Sequence, residues 1–414
     1  MTITLTFEQS RCADAVNEWL KDPSRKPWFT IHGYAGSGKT SLAKHFAEQQ
    51  SGRVVYAAYT GKAAGVLAKK GCTPAMTIHR MLYLPQSERN EELIELQKKL
   101  DAGVDPSTER RLFKRIEELQ APKWALSHKS PLIGASLLVL DECSMVDSML
   151  ARDILSFKIP VLVLGDPGQL PPIDGAGYFD QTCDFMLTEV HRQAAESPVI
   201  RLAMQARDGR SLALGKYGSS RVISKSKVGR EEALEVAQII CGLNRTRVVL
   251  NNENRALRGF EGPYPRAGER LICLRNNQKT GMLNGTMVDL TTNAMPPLVA
   301  AEDIVDFDEG PDVPLTPEYD HDSPFIYFDT AEHGRLKAYK LCFTKPEAIK
   351  AMDYRKRAAA DEVDYGWTIS CHKAQGSQFE SVLVYNEFTW DRDLHKRWLY
   401  TACTRAEDRV IIAL

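Results

Sequence analysis

The feature that most constrains the fold is a glycine-rich segment at residues 33–40, which reads GYAGSGKT. It follows a β-prone run at residues 28–32 and precedes a helical pattern that begins near Ser41. The spacing G-x-x-x-x-G-K-[ST] in this setting predicts a phosphate-binding loop, because the glycines let backbone N–H groups and a helix N-terminus face phosphate oxygens. The chain must therefore contain an α/β unit in which one strand ends at this loop.

Further β-rich runs alternate with helical patterns through the first half of the chain. Strands are predicted at residues 54–58, 137–140 and 161–164. This rhythm is typical of a parallel sheet with helices on both faces. A second strand-rich series is predicted at residues 246–250, 270–274, 286–290, 382–385 and 410–412. A chain of 414 residues is too long for one ordinary core, so we expect more than one domain.

Net charge and cysteine content give weaker information on the binding partner and the cellular compartment. The formal net charge is −1, which neither supports nor excludes a polyanionic partner. The nine cysteines contain no C-x-x-C pair, as expected of reduced thiols in an intracellular protein. The amino terminus has no apolar signal core, and no run of about 18 apolar residues occurs. We therefore expect a cytoplasmic protein without a membrane partner.

An acidic pair, Asp141 and Glu142, follows the predicted strand at residues 137–140. Together with the loop it predicts a nucleotide phosphoanhydride hydrolase, because such chemistry needs mainly positioning and charge neutralisation. Lys39 would reach the β- and γ-phosphates. Thr40 and Asp141 would hold Mg²⁺, and Glu142 would orient and deprotonate the attacking water.

Two arginines are candidates for contact with the transferring phosphoryl group. Arg192 lies in the segment LTEVHRQ, and Arg405 lies in YTACTRA near the end of the second half. A guanidinium is suited to the charge spread over that group, and one arriving from another domain would couple hydrolysis to closure. Each arginine taken alone is better explained as a surface ion pair.

The order of the motifs resembles that of superfamily 1B DNA helicases of the RecD/Dda-like branch. The resemblance covers nearly the whole chain, and its most specific elements are GDPGQLPP at residues 165–172 and HKAQGS at residues 372–377. The other matching segments are YTGKAA at 59–64, TIH at 77–79, DECSM at 141–145, HR at 191–192 and YTACTRA at 400–406.

The resemblance implies an α/β fold of two RecA-like P-loop domains with parallel sheets. It implies a first domain, 1A, at residues 1–84 and 124–195, and a second domain, 2A, at residues 196–283 and 361–414. An inserted subdomain, 1B, at residues 85–123 takes the position of the strand-separating wedge and has a helical pattern here. An SH3-like β insertion, 2B, is expected at residues 284–360.

The resemblance also implies a role for individual residues. Gln9 would hold the adenine edge, and Gln169 would sense the γ-phosphate that Arg192 and Arg405 contact. The implied catalytic residues are Lys39, Asp141, Glu142, Gln169, Arg192 and Arg405. The implied ATP-binding residues are Gln9, Gly33, Gly36, Ser37, Gly38, Lys39, Thr40 and Gly376, with Thr40 and Asp141 as metal ligands. The implied DNA-binding residues are Thr60, Lys62, Thr77 and His79 from the first domain and Ser370, His372 and Lys373 from the second.

The activity implied is an ATP- and Mg²⁺-dependent helicase that moves 5′→3′ on single-stranded DNA and acts at single-strand/duplex junctions. The resemblance further implies a monomer with partners among replication or recombination proteins. An alternative is a translocase that displaces proteins but separates strands poorly, because residues 85–123 have no β-hairpin pattern and no identifiable wedge residue. A non-hydrolysing DNA-binding subunit is the third hypothesis, and the intact phosphate-site residues argue against it.

Overall fold

The structure is a computed structural model. It describes residues 5–84, 92, 95–96, 98–99, 108, 111–112, 115–116, 126–171, 177–190, 195–275, 277, 280, 282, 284–298, 319–352, 354–357, 359–387 and 391–414. Arg192 and most of the predicted insertion at residues 85–123 lie outside the described residues. Those residues of the insertion that are described are helical.

The described elements alternate between helix and strand along much of the chain. The helices are α1 Phe7–Lys21, α2 Lys39–Glu48, α3 Gly61–Lys69, α4 Ile78–Leu82, α5 Ser148–Leu155, α6 Pro198–Arg207, α7 Arg230–Leu234, α8 Asn244–Leu257, α9 Leu341–Thr344, α10 Pro346–Ala351, α11 Tyr354–Arg357, α12 Cys371–Ala374 and α13 Arg392–Cys403. The strands are β1 Trp28–Gly33, β2 Val54–Ala58, β3 Ala75–Thr77, β4 Leu137–Asp141, β5 Val161–Gly165, β6 Phe185–Leu187, β7 Gly215–Tyr217, β8 Ser220–Ile223, β9 Gln238–Cys241, β10 Arg270–Cys273, β11 Met287–Asp289, β12 Phe325–Thr330, β13 Gly334–Tyr339, β14 Val363–Tyr365, β15 Thr368–Ser370, β16 Phe379–Tyr385 and β17 Ala406–Ala413. Short 3-10 turns cover Cys143–Met145, Tyr178–Gln181 and Lys225–Lys227.

The chain divides into two compact units, residues 1–224 with 374–414 and residues 225–373. The first unit contains a six-stranded sheet in the order β3-β2-β4-β5-β1-β6, and every pairing in it is parallel. In a parallel sheet all strands end at the same edge. The segments after β1, β2, β3, β4 and β5 therefore emerge side by side, which is where ligands bind in open α/β sheets.

Both faces of this sheet are buried, as expected for parallel strands covered by helices. Alternate residues of β4 serve opposite faces, because side chains along a strand point alternately up and down. Leu137 and Val139 pack in one core with α1, α2 and α3, whereas Leu138 and Leu140 pack in another with α4 and α5. The predicted α/β class with a parallel sheet is confirmed.

The first unit also contains a second group of paired strands. β16 pairs in parallel with β17, and β17 pairs in parallel with β8. β7 pairs with β8 in the antiparallel direction. Helices α6 and α13 pack against each other, and α13 ends one residue before Thr404 and two before Arg405.

The second unit mixes parallel and antiparallel pairing. β9 and β15 pair in parallel, β10 lies between β11 and β14 in an antiparallel sheet, and β12 and β13 form an antiparallel hairpin. Side chains from β10 to β14 share one apolar core. The SH3-like assignment of residues 284–360 and the predicted domain boundaries stay predictions.

One predicted strand is wrong. Residues 246–250 are part of helix α8, although the run of Thr and Val favours a strand. The helix was hidden because the residues it buries are polar: Asn251, Asn254 and Arg255. Asn251 bonds the backbone of Tyr365 and Thr368, and Arg255 pairs with Glu269 at 2.6 Å. Apolar periodicity, the usual signal of a helix, is therefore missing from this segment.

Candidate active site

The loop after β1 has the backbone expected of a phosphate-binding loop. Gly36 and Gly38 have φ angles of +83° and +79°, which L side chains rarely adopt. Gly38 is also the N-cap of α2, so no side chain covers the first N–H groups of that helix. The ammonium group of Lys39, the first helical residue, donates to the carbonyl oxygens of Gly33 and Tyr34. These N–H groups and this ammonium group provide a concentrated positive potential for an anion.

Two further details of the loop indicate that a polar ligand belongs there. A Cβ atom on Gly33 would lie 2.5 Å from Ser37 Oγ and 3.2 Å from the carbonyl oxygen of Leu187, so only glycine fits. Ser37 Oγ is buried and has no hydrogen-bond partner within the described part of the chain. A buried hydroxyl without a partner is unusual in a protein, and a phosphate oxygen would satisfy it.

The acidic pair lies at the end of β4, two strands from the loop in the sheet order. The N–H of Glu142 donates to Asp141 Oδ1 at 2.9 Å, and Glu142 has a φ angle of +54°, a strained value for a residue with a side chain. Burial raises the pKa of Glu142, the Arg405 guanidinium opposes that rise, and Asp141 and Asp166 add to it. Thr40 and Asp141 supply hydroxyl and carboxylate oxygens, the donors that Mg²⁺ prefers.

Arg405 faces this acidic pair. Its side chain is buried, and Arg405 Nη1 lies 3.8 Å from Glu142 Oε1. The guanidinium also donates to the carbonyl oxygens of Thr401 and Ser377, at 3.1 and 3.4 Å. Backbone acceptors therefore aim this arginine at the end of β4. The surface ion-pair alternative does not hold for Arg405, whereas Arg192 lies outside the described residues.

A hydrogen-bond chain joins the phosphate-binding loop to the loop after β5, and sequence reasoning assigned none of its members. Ala35 N–H donates to Tyr400 Oη at 2.7 Å, and the Tyr400 hydroxyl donates to Asp166 Oδ2 at 2.8 Å. The other carboxylate oxygen of Asp166 accepts from Gly168 N–H at 2.9 Å. The only sequence signal was that Tyr400 and Asp166 each lie inside a matched motif.

The same loop is held on its other side by two residues from the C-terminal motifs. Gln375 Nε2 donates to the carbonyl oxygen of Leu170 at 2.8 Å, and Leu170 N–H donates to Thr401 Oγ1 at 2.9 Å. Gln169 directly precedes Leu170, and its Oε1 is buried without a partner in the described residues. This amide is therefore poised to bond a group that enters the site.

Gln9 lies beside the phosphate-binding loop. It forms a capping box with Thr6 at the start of α1, and its Nε2 donates to the carbonyl oxygen of Ser37 at 3.2 Å. Thr6, Gln9 and Ser37 thus link the first helix to the loop. The adenine contact expected of Gln9 stays a prediction.

The expected DNA-binding residues of the first unit flank helices α3 and α4. Thr60 and Thr77 cap these helices by accepting from Ala63 N–H and Arg80 N–H, each at 3.2 Å. Gly376, with a φ angle of +70°, lies so close to Thr60 that a Cβ atom would approach its Oγ1 to 2.7 Å. Gly376 therefore belongs to the neighbourhood of Thr60, and its assignment to ATP stays a prediction.

Lys62 and His79 each contact aromatic rings. Lys62 Nζ lies 4.9 Å from the Phe379 ring centre, and His79 packs between the rings of Tyr59 and Tyr83. Burial lowers the pKa of His79, while the Asp147 carboxylate works in the opposite direction. Burial therefore favours the neutral form of this side chain.

In the second unit, Ser370, His372 and Lys373 lie at the junction of β15 and α12. Ser370 Oγ accepts from Lys373 N–H at 3.4 Å, and Lys373 Nζ donates to Asn284 Oδ1 at 2.6 Å. Burial lowers the pKa of both His372 and Lys373. The contact of these three residues with DNA stays a prediction.

Comparison with known proteins identifies two conserved domain types in the chain. Residues 8–227 match the AAA domain, and residues 365–413 match the UvrD-like helicase C-terminal domain. The first match covers more than half of the chain and contains the phosphate-binding loop, the acidic pair and the loop after β5.

Two curated relatives are DNA helicases. The chain is 25% identical to the ATP-dependent RecD2 DNA helicase of Deinococcus radiodurans, over 92% of this chain and 46% of the relative. It is 28% identical to the ATP-dependent DNA helicase dda of Enterobacteria phage T4, over 50% of this chain and 43% of the relative. The chain thus spans about half the length of the curated relatives it matches.

The fold is also found among solved structures. A structure of two coordinating Pif1 helicases at forked double-stranded DNA matches with a TM-score of 0.53 and 16% identity, covering 99% of this chain and 92% of the other. This likeness confirms the predicted fold class. Within the described residues, none of the helices has the length and apolar character needed to cross a membrane.

Proposed function

Because the chain belongs to the AAA-domain family and to superfamily 1B of the helicases, we propose that it is an ATP-dependent DNA helicase that moves 5′→3′ on single-stranded DNA. The observation that carries the proposal is the approach of Arg405 to Glu142, 3.8 Å apart at the end of β4. This contact brings a residue of the last motif to the proposed catalytic carboxylate. ATP hydrolysis would therefore depend on the position of the C-terminal motifs. The first unit alone supplies this geometry.

The phosphate-binding loop performs the binding step. The N–H groups around Gly36 and Gly38 and the Lys39 ammonium neutralise the phosphates, and Ser37 Oγ donates to one of their oxygens. Thr40 and Asp141 are the residues that would hold Mg²⁺, which supplies further neutralisation of charge when bound. Gln9 would contact the base from α1.

Glu142 and Gln169 act on the attacking water. Glu142 accepts a proton from this water, and Gln169 Oε1, which has no partner among the described residues, accepts a second hydrogen bond from it. The amide N–H₂ group of Gln169 donates to the γ-phosphate. Arg405 neutralises charge on the transferring group, and Arg192 is proposed as the second arginine.

The loop after β5 is proposed to couple the two ends of the site. Tyr400 connects it to the phosphate-binding loop, and Gln375 and Thr401 grip Leu170 on its other side. Gln375 directly precedes Gly376, which lies close to Thr60 at the start of the proposed DNA track. A movement of the loop after β5 on ATP binding or hydrolysis would therefore be transmitted to this track. Thr60, Lys62, Thr77 and His79 from one unit, and Ser370, His372 and Lys373 from the other, would contact DNA backbone.

The direction of movement, action at junctions, a monomeric state and a cytoplasmic location are parts of the same proposal, as are partners in replication or recombination. The translocase with weak strand separation is the second candidate, and the absence of a β-hairpin pattern at residues 85–123 favours it.

The proposal is tested by ATPase rates with and without single-stranded DNA, followed by unwinding of duplexes that carry either a 5′ or a 3′ single-stranded tail. We expect DNA to stimulate hydrolysis and only the 5′-tailed duplex to be unwound. Unwinding from the 3′ tail alone would refute the direction of movement. Stimulated hydrolysis without strand separation would favour the translocase, and no hydrolysis would refute both.

The salt dependence of DNA binding should separate charged from neutral contacts in the first unit. We expect Lys62→Ala to reduce the slope of log K against log salt by about 0.7, the value for one phosphate contact on a single strand. His79→Gln should weaken binding without changing the slope, because burial lowers the pKa of His79 and so disfavours its charged form. Fluorescence anisotropy of a labelled oligonucleotide over a salt series measures both.

Lys69→Ala is the matched control for this experiment, because Lys69 lies at the last turn of the same helix as Lys62. It should leave both the affinity and the slope unchanged. A slope that is the same in Lys62→Ala and in the wild type would remove Lys62 from the proposed track.

A further inference from the structure

Three side chains that take no part in the proposed hydrolysis meet close to the end of β4. His32 lies near the end of β1, Cys143 directly follows Glu142, and Asp180 lies in the 3-10 turn Tyr178–Gln181. One ligand atom from each of the three lies within 4.8 Å of the other two. His32 Nε2 is 3.2 Å from Asp180 Oδ1, and Cys143 Sγ is 3.4 Å from the same oxygen.

We propose that His32, Cys143 and Asp180 form a binding site for a borderline divalent cation, of which Zn²⁺ is the representative. The three donors are an imidazole nitrogen, a thiol sulfur and a carboxylate oxygen, which is a set that zinc takes in proteins. Mg²⁺ prefers oxygen donors, so this site differs in chemistry from the one proposed at Thr40 and Asp141.

Two of the three distances between the donors fit a tetrahedral ion, and the third, between His32 and Cys143, is at most 4.8 Å. Zinc at its usual bond lengths would separate the nitrogen and oxygen ligands by about 3.3 Å and the sulfur and oxygen ligands by about 3.6 Å. The corresponding separations here are 3.2 and 3.4 Å. Small movements of three side chains would therefore complete the coordination, and a water would take the fourth position.

An unpartnered polar atom points into this cluster. The His32 side chain is 7% exposed, and its Nε2 has no hydrogen-bond partner within the described residues despite its approach to Asp180. The geometry of that approach is not that of a hydrogen bond. A buried ring nitrogen in this state needs another partner, and a metal ion would accept its lone pair.

Charge and space are also consistent with a cation. Burial and the neighbouring Asp180 raise the pKa of Cys143, so the metal-free site holds a neutral thiol that donates to Asp180. Binding of the ion would release the thiol proton to solvent, and the ion would neutralise the two negative charges of the resulting thiolate and the Asp180 carboxylate. Gly165 at the end of β5 makes room for the cluster, since a Cβ atom there would lie 2.9 Å from His32 Nε2 and 3.0 Å from Cys143 Sγ. Asp180, whose side chain is 24% exposed, provides the route to solvent.

A cation in this site would act on the architecture of the acidic pair. Cys143 is bonded in sequence to Glu142, whose backbone is in the strained left-handed region. Linking Cys143 to β1 and to the 3-10 turn would therefore hold that backbone in place. A cation here would stabilise the end of β4 whatever the direction of movement or the substrate of the chain.

The test uses the full chain after removal of metal with a chelator, and Co²⁺ as a spectroscopic probe for Zn²⁺. We expect one equivalent of Co²⁺ to give a thiolate-to-metal charge-transfer band and the visible bands of a tetrahedral ion, and Zn²⁺ to displace it. Excess Mg²⁺ should leave the bands unchanged. Zn²⁺ should also raise the melting temperature of the metal-free protein, because an ion that binds only the folded state stabilises it.

Variants locate the ion. Cys143→Ser should abolish the charge-transfer band, and His32→Gln and Asp180→Asn should each reduce the Zn²⁺ affinity by at least about tenfold. Cys183→Ser is the matched control, because Cys183 is the exposed cysteine near the same turn, and it should leave the band unchanged. If Cys143→Ser does not fold, the other two variants decide the question.

The proposal is overturned if the wild type shows no charge-transfer band at one equivalent, which would leave the three side chains as a hydrogen-bonded cluster. It is also overturned if the band persists in Cys143→Ser or is lost in Cys183→Ser. ATPase activity does not enter these measurements, so failure of the proposed function would leave them unaffected.

Discussion

Arg405→Ala should lower the DNA-stimulated ATPase rate by about 10³-fold or more, the effect expected when an arginine that contacts the transferring phosphoryl group is removed. The side chain is buried and oriented by the carbonyl oxygens of Thr401 and Ser377, so a substitute cannot reach the same place. Arg405→Lys should fail similarly, because an ammonium group cannot reproduce the planar guanidinium. Binding of a non-hydrolysable ATP analogue should change much less than the rate.

Arg397→Ala is the matched control, since Arg397 lies on the exposed side of α13. It should keep the wild-type rate. Circular dichroism and thermal melting of Arg405→Lys establish that the fold survives, because this variant keeps a positive charge near Glu142. A folded Arg405 variant with the wild-type rate would exclude this arginine from catalysis.

Glu142→Gln should lower the ATPase rate by about 10²–10⁴-fold, as expected for loss of a general base. Glutamine has the same shape and suffers the same strain at a φ angle of +54°, so the loss reports chemistry and not a change of backbone. Nucleotide binding should persist, whereas Asp141→Asn should weaken Mg²⁺-dependent binding. Single-turnover hydrolysis and analogue binding separate the two effects.

The double variant Glu142→Gln/Arg405→Ala tests whether the two residues act in the same step. The double variant should lose little more activity than the worse single variant, because both residues act in the same step. Glu48→Gln, on the exposed surface of α2, serves as the control and should keep the wild-type ATPase rate. Independent, additive losses would place the two residues in separate steps.

Local sequence patterns predicted four of the six strands of the first sheet and missed the three-residue strands β3 and β6, and there is a physical reason. Residues 54–58 form β2 as predicted, and residues 137–140 and 161–164 form β4 and β5 with one more residue each. These strands are buried on both faces, so their apolar runs are continuous and easily recognised. Helix α8 was mistaken for a strand because its buried side chains are Asn and Arg, so the apolar periodicity that reveals a helix is missing.

The candidate site was predicted in part for a similar reason. Residues that act through local geometry, such as Gly36, Gly38 and Lys39, are recognisable from spacing alone. Tyr400 was not, since its partners Ala35 and Asp166 are 365 and 234 positions away. The contact of Gln375 was not predictable either. Its partner is the backbone carbonyl oxygen of Leu170, and a backbone partner leaves no trace in the amino-acid pattern.

The amino-acid sequence by itself determined the phosphate-binding loop and the strands whose carboxyl ends carry the acidic pair and Gln169. Each of these depends on a few neighbouring residues and on the regular geometry of strand and helix. The tertiary structure alone decided that Arg405 faces Glu142, that Tyr400 joins two loops, and that His32, Cys143 and Asp180 meet. Those contacts depend on distant segments packing together, and short-range propensity carries no information about which side chains will then be neighbours.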